Sequence, residues 1–291
     1  MENYTRAIEK HFALLPGVPL IRSPFFSEIF GDDYPIKAIA ELAHKLNTDG
    51  YAVIDFPDDN FDARSESIIK NLGEKFDLSN WLRLPVKNKP SLRVQDAWKF
   101  DQNVRSLATN SIVMQALQYL YGRRPIPFQT LNFPVGTQQH PHTDHVHFSS
   151  IPKYFMCGVW VALEDVTIDS GPLLYYPGSH KWECYDNEHV LMSPDDVENY
   201  TQPKYEPLWN ELITSYQAQK KVFTCKKGEA LIWDANLLHG GEALLSGQRT
   251  RWSQVTHYFF SDCMYYTPMH TQSLSGKIRF RNIEEIEVAA E

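Results

Sequence analysis

Apolar residues recur at helical spacing through the first part of the chain and in short alternating runs after Pro125. Between Pro35 and Leu46 they fall at Ile36, Ile39, Ala40, Ala43 and Leu46, which predicts a helix with Pro35 in its first turn and residues 47–50 as its end. Residues 51–56 then read as a strand and 61–76 as a second helix. A long amphipathic helix is predicted over 104–121, on Val104, Leu107, Ala108, Ile112, Val113, Ala116, Leu117 and Leu120, with Gly122 as its C-terminal cap. Residues 1–34 combine Pro16, Pro19 and Pro24 with Phe25, Phe26 and Phe30 and read as an irregular packed arm. Residues 77–101 carry Trp81, Trp98, Arg83, Lys87, Lys89, Arg93 and Lys99; they fit either a surface loop with bases lying along it or part of a pocket wall.

After Pro125 the predicted strands are 126–133, 155–163, 173–176, 221–225, 230–234 and 251–260, separated by Gly, Pro and Asn. Many short strands with such punctuation point to an antiparallel sandwich or jelly roll, with the preceding helices on the outer face of one sheet. Residues 181–219 interrupt the strands with Trp182, Tyr185, Tyr200, Tyr205, Trp209 and Tyr216, and 207–219 reads as helical. The simplest partition is a single domain over 1–291: a helical arm at 1–124, a β core at 125–262, and an insertion or lid at 181–219.

Composition narrows the class. The chain has 291 residues, 43% hydrophobic and 22% charged, in the ordinary range for a globular protein. No apolar run approaches the ~20 residues of a membrane span, and no signal-peptide core is visible near Met1. A formal net charge of −8 argues against wholesale binding of a nucleic-acid backbone. Cys157, Cys184, Cys225 and Cys263 form no CxxC, which fits reduced thiols in the cytoplasm and disfavours a zinc-cysteine site.

The chemistry concentrates in His142-Thr143-Asp144, the sole His-x-Asp or His-x-Glu of the chain. In an extended segment residues two apart share a side, so this imidazole and carboxylate can close on one metal ion. A third candidate ligand is His239, at the end of a predicted strand and followed by Gly240 and Gly241, which allow close backbone approach. Two imidazoles and one carboxylate on one face form the triad of non-haem Fe(II) oxygenases and leave positions for a 2-oxo acid and O2. Twelve residues later Arg251 and Ser253 share a face and offer a fork for the distal carboxylate of 2-oxoglutarate. Arg249 is a second candidate for that role.

Taken in order, several motifs resemble the phytanoyl-CoA dioxygenase-like Fe(II)/2-oxoglutarate oxygenases. They are Gly50-Tyr51-Ala52-Val53-Ile54, the helix ending at Gly122, His142-Thr143-Asp144, Val159 to Leu163, Ser170-Gly171-Pro172-Leu173, Pro177-Gly178-Ser179-His180, Leu238-His239-Gly240 and the Arg251 strand. The resemblance runs from about Asn47 to about Ser261. It implies a mostly β protein with flanking helices, a double-stranded β-helix of the jelly-roll, cupin-like type, with His142, Asp144 and His239 on iron and Arg251 on 2-oxoglutarate. It also implies that Asp144 disfavours a halogenase, since related halogenases carry a small residue there. The 181–219 insertion does not match the family and leaves the substrate open, including any acyl-CoA; Lys87, Lys89 and Arg93 are the sole sequence hint of a basic patch for one.

Other polar residues carry competing readings. His140, His145 and His147 flank the motif as neighbours of the metal or of substrate. His180 reads as structural, and His257 as a core or pocket residue. Gln129 is a candidate cosubstrate contact and Asn132 a weaker one; Trp160 is either core or a wall over the iron. The function expected from all this is hydroxylation of an unactivated C–H bond in a small organic metabolite, with release of succinate and CO2. A desaturase or epimerase using the same cofactors, or a non-catalytic binding protein on the same fold, are the alternatives.

Overall fold

The strand pattern read above orders the whole structure, a computed structural model that describes every residue except 1, 87–88, 194–195, 197–203, 246, 248, 273–274 and 289–291. In chain order the strands are β1 (Tyr51–Asp55), β2 (Val94–Gln95), β3 (Pro125–Phe133), β4 (Ser149–Ile151), β5 (Met156–Ala162), β6 (Leu173–Tyr175), β7 (Lys221–Phe223), β8 (Glu229–Asp234), β9 (His239–Gly241), β10 (Ser253–Phe260) and β11 (Met264–Tyr266). Six of them pair antiparallel in the order β1-β8-β5-β10-β3-β2. A second sheet runs β7-β6-β9, and β11 pairs with β4. The protein is thus a mostly β jelly roll with flanking helices.

Alternation explains why the large sheet is buried on both faces. Val159, Val161, Ala230, Ile232, Tyr258 and Phe260 point to one side and pack on the helices. Trp160, Ala162, Leu231, Trp233 and Val255 point to the other side and meet Tyr175 and Phe223 of the smaller sheet. Each fully buried aliphatic side chain contributes about 1.5–3 kcal/mol, so a one-residue slip of register would be strongly penalised.

The helices longer than six residues among the described residues are α1 (Glu2–Leu14), α2 (Lys37–Asp49), α3 (Phe61–Gly73), α4 (Gln102–Ala108), α5 (Ser111–Tyr121) and α6 (Glu206–Ser215). Three expectations need correction. Residues 1–34 are not wholly irregular, because they begin with α1, which buries Ala7 and His11. Pro35 lies outside α2, which starts at Lys37 with Ile36 as its N-cap. The single helix expected over 104–121 is two, α4 and α5: the Asn110 side chain accepts from the Ile112 and Val113 amides and caps a new start. The large sheet also recruits β1 and β2 from the N-terminal half, so its strands are not confined to 125–262. Among the described residues no helix is long and apolar enough to cross a membrane.

Of residues 181–219, expected as an insertion or lid, Tyr200 lies outside the described residues, and the Trp209 ring comes within 6.5 Å of the His142 ring, centre to centre. Tyr205 and Trp209 join Val146, Leu238 and Met269 in a separate apolar cluster. Asn187 donates to the carbonyls of Met269 and Thr271 at 3.0 and 2.8 Å, and Tyr205 Oη–H donates to Asn187 Oδ1 at 2.6 Å. The segment therefore braces the chain after β11.

Candidate metal centre

Residues 137–142 run beside β9, and His142 and His239 exchange backbone hydrogen bonds of 2.8 and 2.9 Å. The glycines after His239 permit this approach. A Cβ on Gly240 would lie 2.7 Å from the Gln139 carbonyl oxygen, and one on Gly241 2.7 Å from Thr137 Oγ1. The two imidazoles end side by side, with centroids 4.6 Å apart. Each is fixed by its own backbone: Nδ1–H of His142 donates to the His140 carbonyl, and Nδ1–H of His239 to the Leu237 carbonyl, both at 2.9 Å. That tautomer leaves a lone pair on each Nε2. Burial, reinforced by His239, pulls the His142 pKa down to about 3.

Asp144 opens a short 3-10 turn, Asp144–Val146. Its Oδ1 lies 4.0 Å from His142 Nε2 and its Oδ2 3.9 Å from His239 Nε2. Burial works against its ionisation, but the imidazoles of His239, His257 and His142 and the Trp233 indole outweigh it and hold the carboxyl at about 2. Trp233 Nε1–H donates to Asp144 Oδ2 at 2.8 Å. The indole reaches that position because residue 158 is glycine: a Cβ there would lie 2.2 Å from the Trp233 ring. The donor atoms of His142, Asp144 and His239 all lie within 4.8 Å of one another, the one such cluster among the described residues. Two imidazole lone pairs and an ionised carboxylate, with His142 and Asp144 buried and His239 partly so, fit a divalent non-haem iron.

The three residues line a cavity of about 500 Å³, a size suited to small ligands. Arg251 also lines it and is 1% exposed. One of its N–H groups, on Nη2, donates to the Val135 carbonyl at 3.3 Å. Its Nε and Nη1, Ser253 Oγ and Trp160 Nε1 have no hydrogen-bond partner among the described residues. Burial lowers the Arg251 pKa to about 10, against the neighbouring Cys225 and Glu164. A buried guanidinium with open N–H groups, 5.7 Å from the centre of the Trp160 ring, fits a carboxylate; Ser253 is buried on β10 but is not among the residues that line the cavity. Arg249 differs in kind: its side chain is 62% exposed and faces Asp169 on the surface at 4.0 Å.

The phytanoyl-CoA dioxygenase family matches residues 36–252, three quarters of the chain. The chain belongs to that family. It is accordingly a non-haem iron, 2-oxoglutarate-dependent oxygenase. Solved structures share the fold at low identity. The α-ketoglutarate-dependent carbocyclase SnoK of nogalamycin biosynthesis is 16% identical, with 84% of this chain and 93% of that chain covered and a TM-score of 0.63. EctD from S. alaskensis with 2-oxoglutarate and 5-hydroxyectoine is 19% identical, covering 87% and 85%, with a TM-score of 0.60. The epimerase SnoN, also of nogalamycin biosynthesis, is 20% identical, covering 83% and 88%, with a TM-score of 0.57.

In this member of the phytanoyl-CoA dioxygenase family the remaining candidates separate clearly. His147 lines the cavity, whereas His140 is exposed. His145 turns away: it pairs with Asp186 at 3.0 Å in the 181–219 segment; burial works against its protonation, but Asp186 and Cys184 together outweigh it and lift its pKa to about 9. His257 is a pocket residue, 3.7 Å from Asp144 Oδ2, with Nδ1–H donating to Gln129 Oε1 at 3.0 Å. Burial holds it at about 4, so this is not an ion pair at neutral pH. Gln129 lines the cavity, but Asn132 does not; its amide faces the helical layer and donates to Gln254 Oε1. Trp160 is both core and wall. His180 is structural, its Nε2–H donating to the Asn47 carbonyl at 3.1 Å. Of the suggested basic patch, Lys87 lies outside the described residues and Lys89 is buried against Trp81. Arg93 lines the cavity.

Sequence reasoning missed Trp233, Thr267, His270 and Arg281, all cavity residues. Trp233 was legible as an inward position of β8, since it alternates with Ile232. The other three follow β10, where no strand pattern or motif marks them.

Proposed function

We propose that His142, Asp144 and His239 bind Fe(II), that Arg251 and Ser253 anchor 2-oxoglutarate, and that the protein hydroxylates an unactivated C–H bond of a small organic metabolite. The observation that carries this reading is the pairing, in one cavity, of a two-imidazole, one-carboxylate cluster with a buried arginine whose Nε and Nη1 are open. Iron with 2-oxoglutarate and O2 supplies an oxidant strong enough for such a bond, with succinate and CO2 as coproducts. The chain supplies the rest. The Trp233 indole aims the Asp144 carboxylate, and the backbone carbonyls at 140 and 237 aim the two imidazoles. Arg251 and Ser253 orient the cosubstrate, with Gln129 as a further contact beside His257. Leu131, Phe133, Leu173 and Val255 keep water from the reacting carbon.

The 1–291 chain acts as one unit, with the helices of its N-terminal part backing the large sheet and 181–219 bracing the far wall. A cytoplasmic setting is supported by four cysteines that are all unpaired. Anaerobic protein given Fe(II) and then 2-oxoglutarate should develop a visible charge-transfer band, and addition of O2 should release succinate. Absence of both, even with broad substrate mixtures, would overturn the assignment. With a substrate in hand, incorporation of one oxygen atom from O2 separates hydroxylation from desaturation or epimerisation.

A further inference from the structure

Residues 234–238 turn the chain from β8 into β9, and they line no part of the cavity. They hold the centre from behind. At one end of the turn the Trp233 indole donates to Asp144 Oδ2. At the other end the Leu237 carbonyl orients the His239 ring. Between them the Ala235 carbonyl accepts from the His145 amide at 2.9 Å, one residue past Asp144. Two of the three ligand side chains therefore take their aim from the path of this turn.

That path is set by the buried Asp234 carboxylate. Its Oδ1 accepts from the Asn236 amide at 2.9 Å and closes the turn, beside the bond of the Leu237 amide to the Asp234 carbonyl. Its Oδ2 accepts two bonds from Arg22, from Nε–H at 3.1 Å and from Nη2–H at 2.8 Å. Arg22 Nη2 also donates to the His180 carbonyl at 3.2 Å, the same carbonyl that accepts from the Asn236 side chain. The Tyr154 ring packs on this guanidinium, 4.2 Å from it to the ring centre. Arg22 is placed by its own neighbours: it ends the 3-10 turn Leu20–Arg22, in which Leu20 and Ile21 are buried and the Ile21 carbonyl accepts from Asn47 Nδ2 at 2.7 Å. Arg22 precedes the family-matched span, which begins at residue 36. Removing its charge leaves the Asp234 carboxylate inside the protein without its cation. The carboxylate must then seek other donors, and the turn it closes moves with it. Metal ligands tolerate displacements of no more than about 0.5 Å.

We propose that Arg22 is a positioning residue of the metal centre: through Asp234 it pins the 234–238 turn and so sets the aim of Asp144 and His239. The N-terminal arm is thereby part of the centre and not only a cover for the large sheet. This proposal rests on the reading of the site as an iron and 2-oxoglutarate centre, and the experiment separates the two. Anaerobic protein saturated with 2-oxoglutarate is titrated with Fe(II) and followed by the charge-transfer band. In parallel the metal-free protein is unfolded in urea, so that iron affinity and stability are read apart.

Arg22→Met should weaken Fe(II) binding about tenfold, as groups that orient metal ligands do, and displace the band maximum. Arg22→Lys, which returns the cation as a point donor without the fork, should recover part of the affinity. Asp234→Asn keeps an acceptor for the Asn236 amide but loses the ion pair; it should show the same weakening by a smaller factor, and it serves where Arg22→Met does not fold. Arg64→Met is the control. Arg64 on α3 bonds Asp58 at 2.6 Å and also Asn103, and the side chains of its ion pair are 21% and 11% exposed, against 19% and 4% for Arg22 and Asp234. It should lose stability while its Fe(II) affinity stays within about twofold of the wild type. Unchanged Fe(II) affinity in folded Arg22→Met or, where that variant does not fold, in Asp234→Asn would overturn the proposal. So would a loss of affinity matched by Arg64→Met, or no recovery in Arg22→Lys. Absence of the band itself in the wild type would instead overturn the reading of the centre.

Discussion

Trp233→Phe tests how the carboxylate of the proposed centre is aimed. The substitution keeps an aromatic ring over Gly158 and removes one interaction, the 2.8 Å bond from the indole N–H to Asp144 Oδ2. A hydrogen bond to a charged acceptor contributes about 1.5–3 kcal/mol. In a cycle linking unfolded, folded and iron-loaded protein, that loss divides between the metal-free fold and the binding of iron. The fold should lose about 1 kcal/mol, because Asp144 is buried and ionised without its donor. The remainder weakens iron binding by about tenfold, at the lower end of the 10–100-fold range for residues that orient metal ligands. The assay is anaerobic titration with Fe(II), followed by the 2-oxoglutarate band, beside urea denaturation of the metal-free protein. The two losses should sum to about 1.5–3 kcal/mol. A variant that binds iron like the wild type and unfolds at the same urea concentration would refute the argument.

Arg251→Met should raise the half-saturating 2-oxoglutarate concentration at least about 100-fold, the equivalent of a lost bidentate charged contact, whereas Arg249→Met should change it less than about twofold. The same Arg251→Met protein should unfold no earlier than the wild type and up to about 2 kcal/mol later, since it replaces a buried, incompletely bonded charge with an apolar chain; calorimetry of the metal-free proteins checks this. Asp186→Asn strands His145 inside the protein and should cost about 3 kcal/mol in urea denaturation, against less than about 1 kcal/mol for the half-exposed Lys153→Ala. Asn110→Ala removes the cap between α4 and α5 and should cost about 1 kcal/mol in the same measurement.

What was legible in the sequence followed from local rules. Short apolar strands broken by Gly, Pro and Asn foretold the jelly roll with helices on the outer face of one sheet, and spacing singled out His142, Asp144 and His239 among the histidines. Where expectations failed, a local pattern was overridden or never existed. The apolar period of 104–121 runs on across a helix break that the capping side chain of Asn110 marks. Arg251 belongs to the extended approach to β10 rather than to the strand, because its amide bonds Pro134 and not a β5 residue. His145 was indistinguishable from His147 by neighbours alone; its partner Asp186 lies 41 residues away. The wall that carries Arg281 depends on contacts from Asn187 to residues more than 80 positions later, which no periodicity records.

The two imidazoles of the centre are oriented by carbonyl oxygens two residues back in their own chain. Main-chain atoms survive every side-chain substitution, so the aim of these rings is insulated from changes elsewhere in the cavity. The surrounding side chains can then drift toward new ligands one at a time without first disarming the metal. A protein redesigner could exploit the same separation by exchanging residues 262–288 as a cassette and leaving 137–144 and 237–241 untouched.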